Sequence, residues 1–372
     1  MGFEFFRQYG GSRIRSYDSQ PFMLDDGRMD AEEATEEEGL DFEMDPADWS
    51  KIDVSCKVIP TTWVLRPRRF IDGKHLGQVV TSLYSKDRYP VPVQLSQIGA
   101  IEMRDFDGML RRVEETTERV VTLMAHLFPW DEIESLASAL QRQGFRLLIA
   151  EKPRPLKEGA KAGYTFDYER MRKTTHNRSN DEMLRLEKQI LARAPNVPTV
   201  LDGRLEPRAS AFRNASVPTV GVIKTHHQNY LHPEGWHVFY DLSPRQRTPA
   251  FRITGRKSGD DNQPKKSSTL EVISWYLRLE GTQNDMPNYG IVRIEVPVYV
   301  GGTRFFSQKC SASDRDYIDN LSQILCDYRC RDESYGRAAV SIHPIQRAEE
   351  SLGSLFTLSE ALAGRFYYLT KL

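Results

Sequence analysis

The sequence predicts an α/β protein, a mixed sheet decorated by helices. Short runs rich in β-branched and aromatic residues, bounded by Pro and Gly, alternate with segments of helical periodicity. These runs fall on both sides of one long helical segment. At 372 residues and 39% hydrophobic content, the chain can bury a large core, and no internal repeat of solenoid length breaks it up.

In chain order, residues 1–50 read as an arm and an acidic linker, and 51–372 as the folded body. VIPTTWVL (58–65), QVVTSLYS (78–85) and VPVQLSQIGAIEMR (91–104) read as strands. Between the first two lies RPRRFIDGK (66–74), where Asp72-Gly73 marks a turn or a strand end. Leu110, Val113, Val120, Leu123 and Leu127 give 108–127 a helical pattern. A helix over 130–144 closes on Gly144, and FRLLIAE (145–151) reads as a buried strand. A basic loop then leads into a long helix over 166–193 with Met183, Leu184, Leu186, Ile190 and Leu191 apolar. PTVLDGRL (198–205) and VPTVGVIK (217–224) read as short strands, 255–268 as a polar loop, and 271–280 and 289–300 as strands. Helical patterns cover 313–333 and 345–363.

Charge and cysteine usage narrow the class. Twelve acids and one base between Asp25 and Asp48 give that block −11, so the remainder carries +10 against a whole-chain charge of −1. The block reads as a solvated linker, or as a segment that competes with phosphates or docks a partner. Four cysteines do not make a disulfide framework, and Cys326 and Cys330 lack the second pair that a zinc site needs. No run approaches the 18 apolar residues of a membrane span, and no secretory signal is evident, so the expectation is a reduced, cytoplasmic protein without a membrane partner.

Several chemistries are disfavoured. No Walker A loop or GxGxxG occurs, and no GxSxG elbow. His226, His227, His232 and His237 cluster without HExxH spacing. What remains is acidic. Asp72 and Asp202 each follow a short apolar run and precede Gly, reading either as simple turns or as strand-end carboxylates. A buried carboxylate is costly unless paired, hydrogen-bonded or metal-bound, and two on neighbouring strands suit Mg²⁺ or Mn²⁺. The preceding helix offers Asp181, Glu182 and Glu187, either as further ligands or as exposed helical acids. Arg66, Arg68 and Arg69 precede Asp72, and Lys152, Arg154, Lys157 and Lys161 crowd one loop, which suits a phosphodiester substrate.

The order FIDGK, LRLEKQIL, TVLDGRL, VGVIKTH, WYLRLE with YGIVRIEVP, and HPIQRAEESL resembles the NurA family of nucleases over about residues 66–355. The resemblance implies an RNase H-like mixed sheet core flanked by helices and extended by the N-terminal acidic segment. It implies a homodimer, Mn²⁺- or Mg²⁺-dependent DNA cleavage, and assembly with a hexameric HerA-type translocase ATPase. The missing Walker A loop agrees with that division of labour. By position, Asp72 and Asp202 match the family's aspartates, and Glu187 its helical glutamate with Glu182 as the alternative. Lys224 matches the Gly-x-x-Lys lysine, and Arg293 and Glu295 the Arg-x-Glu strand. Arg66, Arg68, Arg69, Lys152 and Arg154 become the DNA contacts. Two departures stand out. The aspartates are 130 residues apart, which implies an αβ insertion around 105–150. His343 precedes a Pro where the family carries Tyr-Pro, and takes part of the role of a later family histidine. The expected activity serves DNA repair, end processing or phage defence; the alternative is a non-catalytic DNA-binding or adaptor subunit.

Overall fold

The computed structural model describes residues 2–14, 40–55, 59–60, 62–150, 167–225, 230–254, 270–281 and 286–372. Apart from a small hairpin of Tyr299–Val300 with Thr303–Arg304, its strands are β1 (Leu40–Asp41), β2 (Ile52–Asp53), β3 (Arg69–Tyr84), β4 (Pro90–Phe106), β5 (Met109–Leu123), β6 (Arg146–Ile149), β7 (Thr199–Asp202), β8 (Thr219–Ile223), β9 (Gln246–Arg247), β10 (Phe251–Ile253), β11 (Val272–Arg278) and β12 (Ile291–Pro297). All twelve join one mixed sheet, ordered β1-β10-β11-β12-β8-β7-β3-β4-β5-β6, with β9 pairing β11 and β2. β3, β4 and β5 form a long antiparallel meander. β7 runs parallel to β3, β8 parallel to β7, and β12 antiparallel to β8. The helices are α1 (Glu4–Gln8), α2 (Trp130–Arg142), α3 (Tyr168–Ala192), α4 (Ala209–Phe212), α5 (Pro233–Tyr240), α6 (Ala312–Asp327), α7 (His343–Leu355) and α8 (Ser359–Thr370).

Successive residues of a strand face opposite sides of the sheet, and the two sides carry different cores. Phe70, Val200, Val220, Val222 and Ile294 pack against Ile318, Leu321, Ile345, Ala348 and Leu352 of α6 and α7. Ile71, Leu201, Tyr276 and Ile291 pack against Met183, Leu186 and Ile190 of α3 and Phe239 of α5. A third core, at the far end of the meander, gathers α1, α2 and α8 around Val80, Leu83, Val93 and Val121. Each buried Leu or Ile on these helices contributes roughly 1.5–3 kcal/mol of transfer free energy, enough to fix which helix covers which face.

Several local expectations are corrected. Residues 109–123 form β5 rather than a helix. Asp107 and Gly108 both have positive φ and join Phe106 to Met109 as a two-residue hairpin turn. Within the segment read as an insertion, β5 and β6 join the main sheet and α2 connects them. Asp72-Gly73 is not a turn: β3 runs through it to Tyr84. No strand occurs among the described residues of 58–65. The segment 345–363 is two helices, α7 and α8, parted at Thr357, whose backbone both donates to and accepts from the Gln97 amide. In the N-terminal arm, Phe5 and Phe6 are buried with their rings against Phe128 and Phe366. Glu43, from the acidic block, is buried as well and pairs with Arg247.

Candidate active site

The site lies where β7 ends and β3 continues. Ile71 pairs with Leu201 in parallel register, so the next step on each strand brings Asp72 beside Asp202. Both follow residues of the α3 core by one position and therefore face α6 and α7. Gly203, at φ +98°, donates its N–H to Val222 O (2.7 Å) and turns the chain off the strand. Asp202 pairs with Val222, and Lys224, two residues on, shares that face.

The electrostatics of this face are unbalanced. Asp72 is 5% exposed, and its carboxylate makes no hydrogen bond or ion pair among the described residues. Burial pushes its pKa well above the ordinary carboxylate value; Asp202, Glu187 and Glu349 add to the rise, and Lys224 opposes it. Lys224 Nζ lies 2.8 Å from Asp202 Oδ2. Burial disfavours its cation, but Asp202 and Asp72 outweigh that and hold its pKa above the usual lysine value. Tyr335, in the connection between α6 and α7, donates its hydroxyl to Glu349 of α7. Burial raises the Tyr335 pKa, Lys224 opposes the rise and Glu349 adds to it, so the phenol stays protonated.

Glu187 sits on the other face. Gly73 points toward α3, where an added Cβ would lie 2.6 Å from Glu187 Oε1 and 2.3 Å from Met183 Sδ, so the glycine leaves the space that Glu187 fills. There Glu187 Oε2 receives Arg208 Nε at 2.7 Å, with Nη2 also at 2.7 Å. Both groups are buried, and stripping one partner from such a pair costs about 3–5 kcal/mol. Glu182, also buried, is held by Arg146, Arg178 and Arg185. Arg293 and Glu295 pair at 2.7 Å on the α3 side, where Glu295 accepts from Leu205 N at 3.1 Å. They brace the loop after β7 from beneath. His343 is exposed at the start of α7, within 3.3 Å of Gln346 Oε1.

The residues singled out in the sequence thus divide: Asp72, Asp202 and Lys224 are brought together, while Glu187, Glu182, Arg293 and Glu295 lie behind the sheet. Glu349 was not singled out by sequence. Its signal was an acid at the edge of the apolar stripe of α7, between Ile345 and Leu352.

A divalent cation fits this face in part. An unpartnered buried carboxylate beside a half-open one is a hard-oxygen donor set, and Mg²⁺ or Mn²⁺ needs few protein ligands because it keeps several waters. Among the described residues no three His, Cys, Asp or Glu side chains are close enough to share one ion.

The expected DNA contacts are also redistributed. Arg69 is fully buried; it pairs with Glu102 at 2.6 Å and donates to Ile190 O and Leu191 O at the end of α3. It caps a helix C-terminus, and its assignment to DNA is corrected on that ground. Arg68 is 46% exposed and lies 3.6 Å from Asp107; Arg66 lies over the Tyr328 ring. Both precede β3, Arg68 at about 13 Å along the chain from Asp72 by the rise per residue and Arg66 two residues further. Lys74, two residues past Asp72, shares the acid face. Lys152, Arg154, Lys157 and Lys161 lie outside the described residues, as do His226 and His227. No helix among the described residues is long and apolar enough to cross a membrane.

No protein-family model matches the chain, and no curated protein is similar to it in sequence. Among solved structures, the NurA nuclease from Sulfolobus solfataricus is similar over 82% of this chain and 82% of its own, at 10% identity and a TM-score of 0.38. Likeness at that level assigns no activity.

Proposed function

We propose that this chain is a Mn²⁺- or Mg²⁺-dependent deoxyribonuclease with an RNase H-like core. The observation that carries the reading is the register of β3 and β7, which sets Asp72 beside Asp202 on one face with one carboxylate buried and unpartnered. The strand plan supports it: a three-strand meander, a long helix, then two strands parallel to the first, ordered β5-β4-β3-β7-β8. So does the order of sequence motifs.

Asp72 and Asp202 would hold the cation. Such an ion supplies Lewis-acid polarisation of a phosphodiester and a water acidic enough to attack it. The chain's own groups do the rest. Lys224 keeps Asp202 oriented and limits the repulsion between the two carboxylates. Glu187 and Arg208 support Gly73 from behind, so the strand cannot sag away from the substrate. Lys74 offers a phosphate contact beside the acids, and Arg66 and Arg68 lie further along the backbone path, contacts that position DNA without reading sequence. The homodimer and the HerA-type translocase partner follow from the motif resemblance, as does a role in repair, end processing or phage defence.

The test is cleavage of linear single- and double-stranded DNA by the purified chain with Mn²⁺, Mg²⁺ or EDTA. We expect metal-dependent hydrolysis that Asp202→Ala abolishes while the fold is retained. DNA binding without cleavage under any metal would instead favour a non-catalytic adaptor.

A further inference from the structure

We propose that the first half of α3, from Tyr168 to Glu182, is an acid-released clamp: proton uptake by the His75–His176 pair lifts it off the meander of β3, β4 and β5, while the half from Met183 to Ala192 stays packed. The device is separate from the acid face and from the nuclease reading.

The two halves of this one helix are held differently. Met183, Leu184, Leu186, Ile190 and Leu191 all enter an apolar core. In the first half only Met171 and the partly buried Tyr168 reach a core, near the helix start. From 172 to 182 the buried positions are Thr175, Ser179 and Glu182, and their grip is polar. Tyr168 and Ser82 share a hydroxyl hydrogen bond of 2.6 Å, Ser179 and Thr122 one of 2.7 Å, and Thr175 donates to Gln94 Oε1 at 3.3 Å. Such bonds exchange for bonds to water at little net cost, so this half is the easier one to lift. Glu182, tied to Arg146 of β6, marks the end of the polar stretch.

The histidines sit in the middle of that stretch. His75 of β3 and His176 of α3 have ring centroids 4.6 Å apart and planes inclined by 34°. His75 Nε2 lies 3.0 Å from Ser96 Oγ and 3.4 Å from Gln94 Nε2, and Gln94 Nε2 donates to Ser96 Oγ at 3.0 Å. With Gln94 Oε1 taken by Thr175, the amide turns its hydrogens to this side, so His75 Nε2 is an acceptor. Gly77 shows how tight the cluster is: an added Cβ would lie 2.5 Å from Gln94 Nε2, 2.6 Å from Ser96 Oγ and 2.8 Å from His75 Nε2. A proton on Nε2 therefore points at a donor. Gln94 can accept it only by turning its carbonyl round, and that gives up the Thr175 bond, one of the clamp's own.

The surroundings offer no counter-charge. On this side β4 presents the neutral Gln94 and Ser96, β5 the neutral Thr122, and β3 itself Gly73 and Gly77. α3 presents His176, and a turn before it stand two further cations, Arg172, paired with Glu169, and Lys173. Burial and His176 both disfavour the His75 cation, and burial disfavours that of His176. Lifting the helix returns both imidazoles to water, where each takes up a proton near pH 6.5. Glu187, which fills the space beside Gly73, belongs to the half that stays, so release leaves the strand behind Asp72 supported.

Hydrogen–deuterium exchange followed by mass spectrometry on the full chain at pH 7.5 and 5.0, corrected for intrinsic exchange chemistry, reads the clamp directly; circular dichroism confirms folding of each variant. We expect protection of amides 172–182 to fall by more than about 30-fold, the factor for one histidine, and to lie well below that of amides 183–192 at pH 5.0. His75→Gln, which keeps an acceptor for Ser96, and His176→Gln should each bring the fall to about 30-fold or less, and the double variant to less than about threefold. Equal protection of the two halves at pH 5.0 would overturn the proposal, because the helix would then open only with the whole fold. So would the parent's full pH dependence in folded His75→Gln or His176→Gln.

Discussion

Two buried charge clusters in this molecule have opposite characters. Around Arg247, the guanidinium is enclosed by Glu43, which offers both carboxylate oxygens at 2.7 and 2.8 Å, and by Asp319 at 2.6 Å. Glu43 also accepts from Ala250 N at 2.7 Å. Every group there has an assigned partner, and the cluster ties the short strand β9 to α6 and to the segment after β1. Around Asp72, two carboxylates and one ammonium share a face, and the more buried carboxylate has no partner. The first arrangement is how a fold satisfies the cost of burying charge; the second leaves that cost standing. Compensated buried charge reads as structure and uncompensated buried charge as a site.

The comparison breaks most visibly through stability. Arg247→Ala would leave Glu43 and Asp319 buried without their cation, and should lower unfolding free energy by about 3–5 kcal/mol, measured by urea denaturation. An effect below about 1 kcal/mol would mean that the cluster is more open than its geometry implies.

A second, smaller effect is pH-dependent. His75 is half-buried beneath α3, its ring tilted 34° against that of His176 at 4.6 Å and within 3.0 Å of Ser96 Oγ. Burial, with His176 adding, lowers its pKa to about 3. The unfolded chain binds a proton near pH 6.5 and the folded chain does not, so stability is full above pH 6.5 and falls as pH drops toward 3. One such group costs about 1.4 kcal/mol per pH unit, or about 2 kcal/mol between pH 6.5 and 5. His75→Gln should flatten that part of the urea-derived stability profile by that amount; an unchanged slope would show that His75 takes up its proton without unfolding.

The smallest expected effect concerns DNA. Arg68 is exposed and far from the acids, so Arg68→Ala should reduce the slope of log affinity against log salt by no more than about 0.9, one phosphate contact. No change would place the DNA path away from the start of β3.

Much of this was legible in the sequence, and the failures have physical causes. Asp72 and Asp202 were found because a carboxylate after an apolar run is rare and costly. α3 was found from its apolar period. β5 was missed because only its last four residues are buried. Over the rest, charged side chains line both faces, so the period of two vanishes, and Leu110, Val113 and Val120 mimic a helix. The Asp107-Gly108 pair was the local signal that argued otherwise. Glu187 was placed with the aspartates by the motif resemblance, which gives order along the chain but not sidedness; only strand register shows that Gly73, rather than Asp72, faces α3. Arg69 was counted with Arg66 and Arg68 because a basic run does not disclose which member turns inward to a helix end. Glu349 was overlooked as one acid in an acidic helix surface, and its place beside Ile345 and Leu352 gains meaning only once α7 is laid on β3.

The central claim is that Asp72 is kept buried and unpaired for chemistry at the expense of the fold. It is tested most directly by purifying Asp72→Asn and measuring, on the same sample, urea stability at pH 7.5 and Mn²⁺-dependent DNA cleavage. The account predicts a variant at least as stable as the parent, by up to about 1 kcal/mol more, with no detectable cleavage. A variant that is several kcal/mol less stable, or that still cleaves DNA at the parent rate, would contradict it.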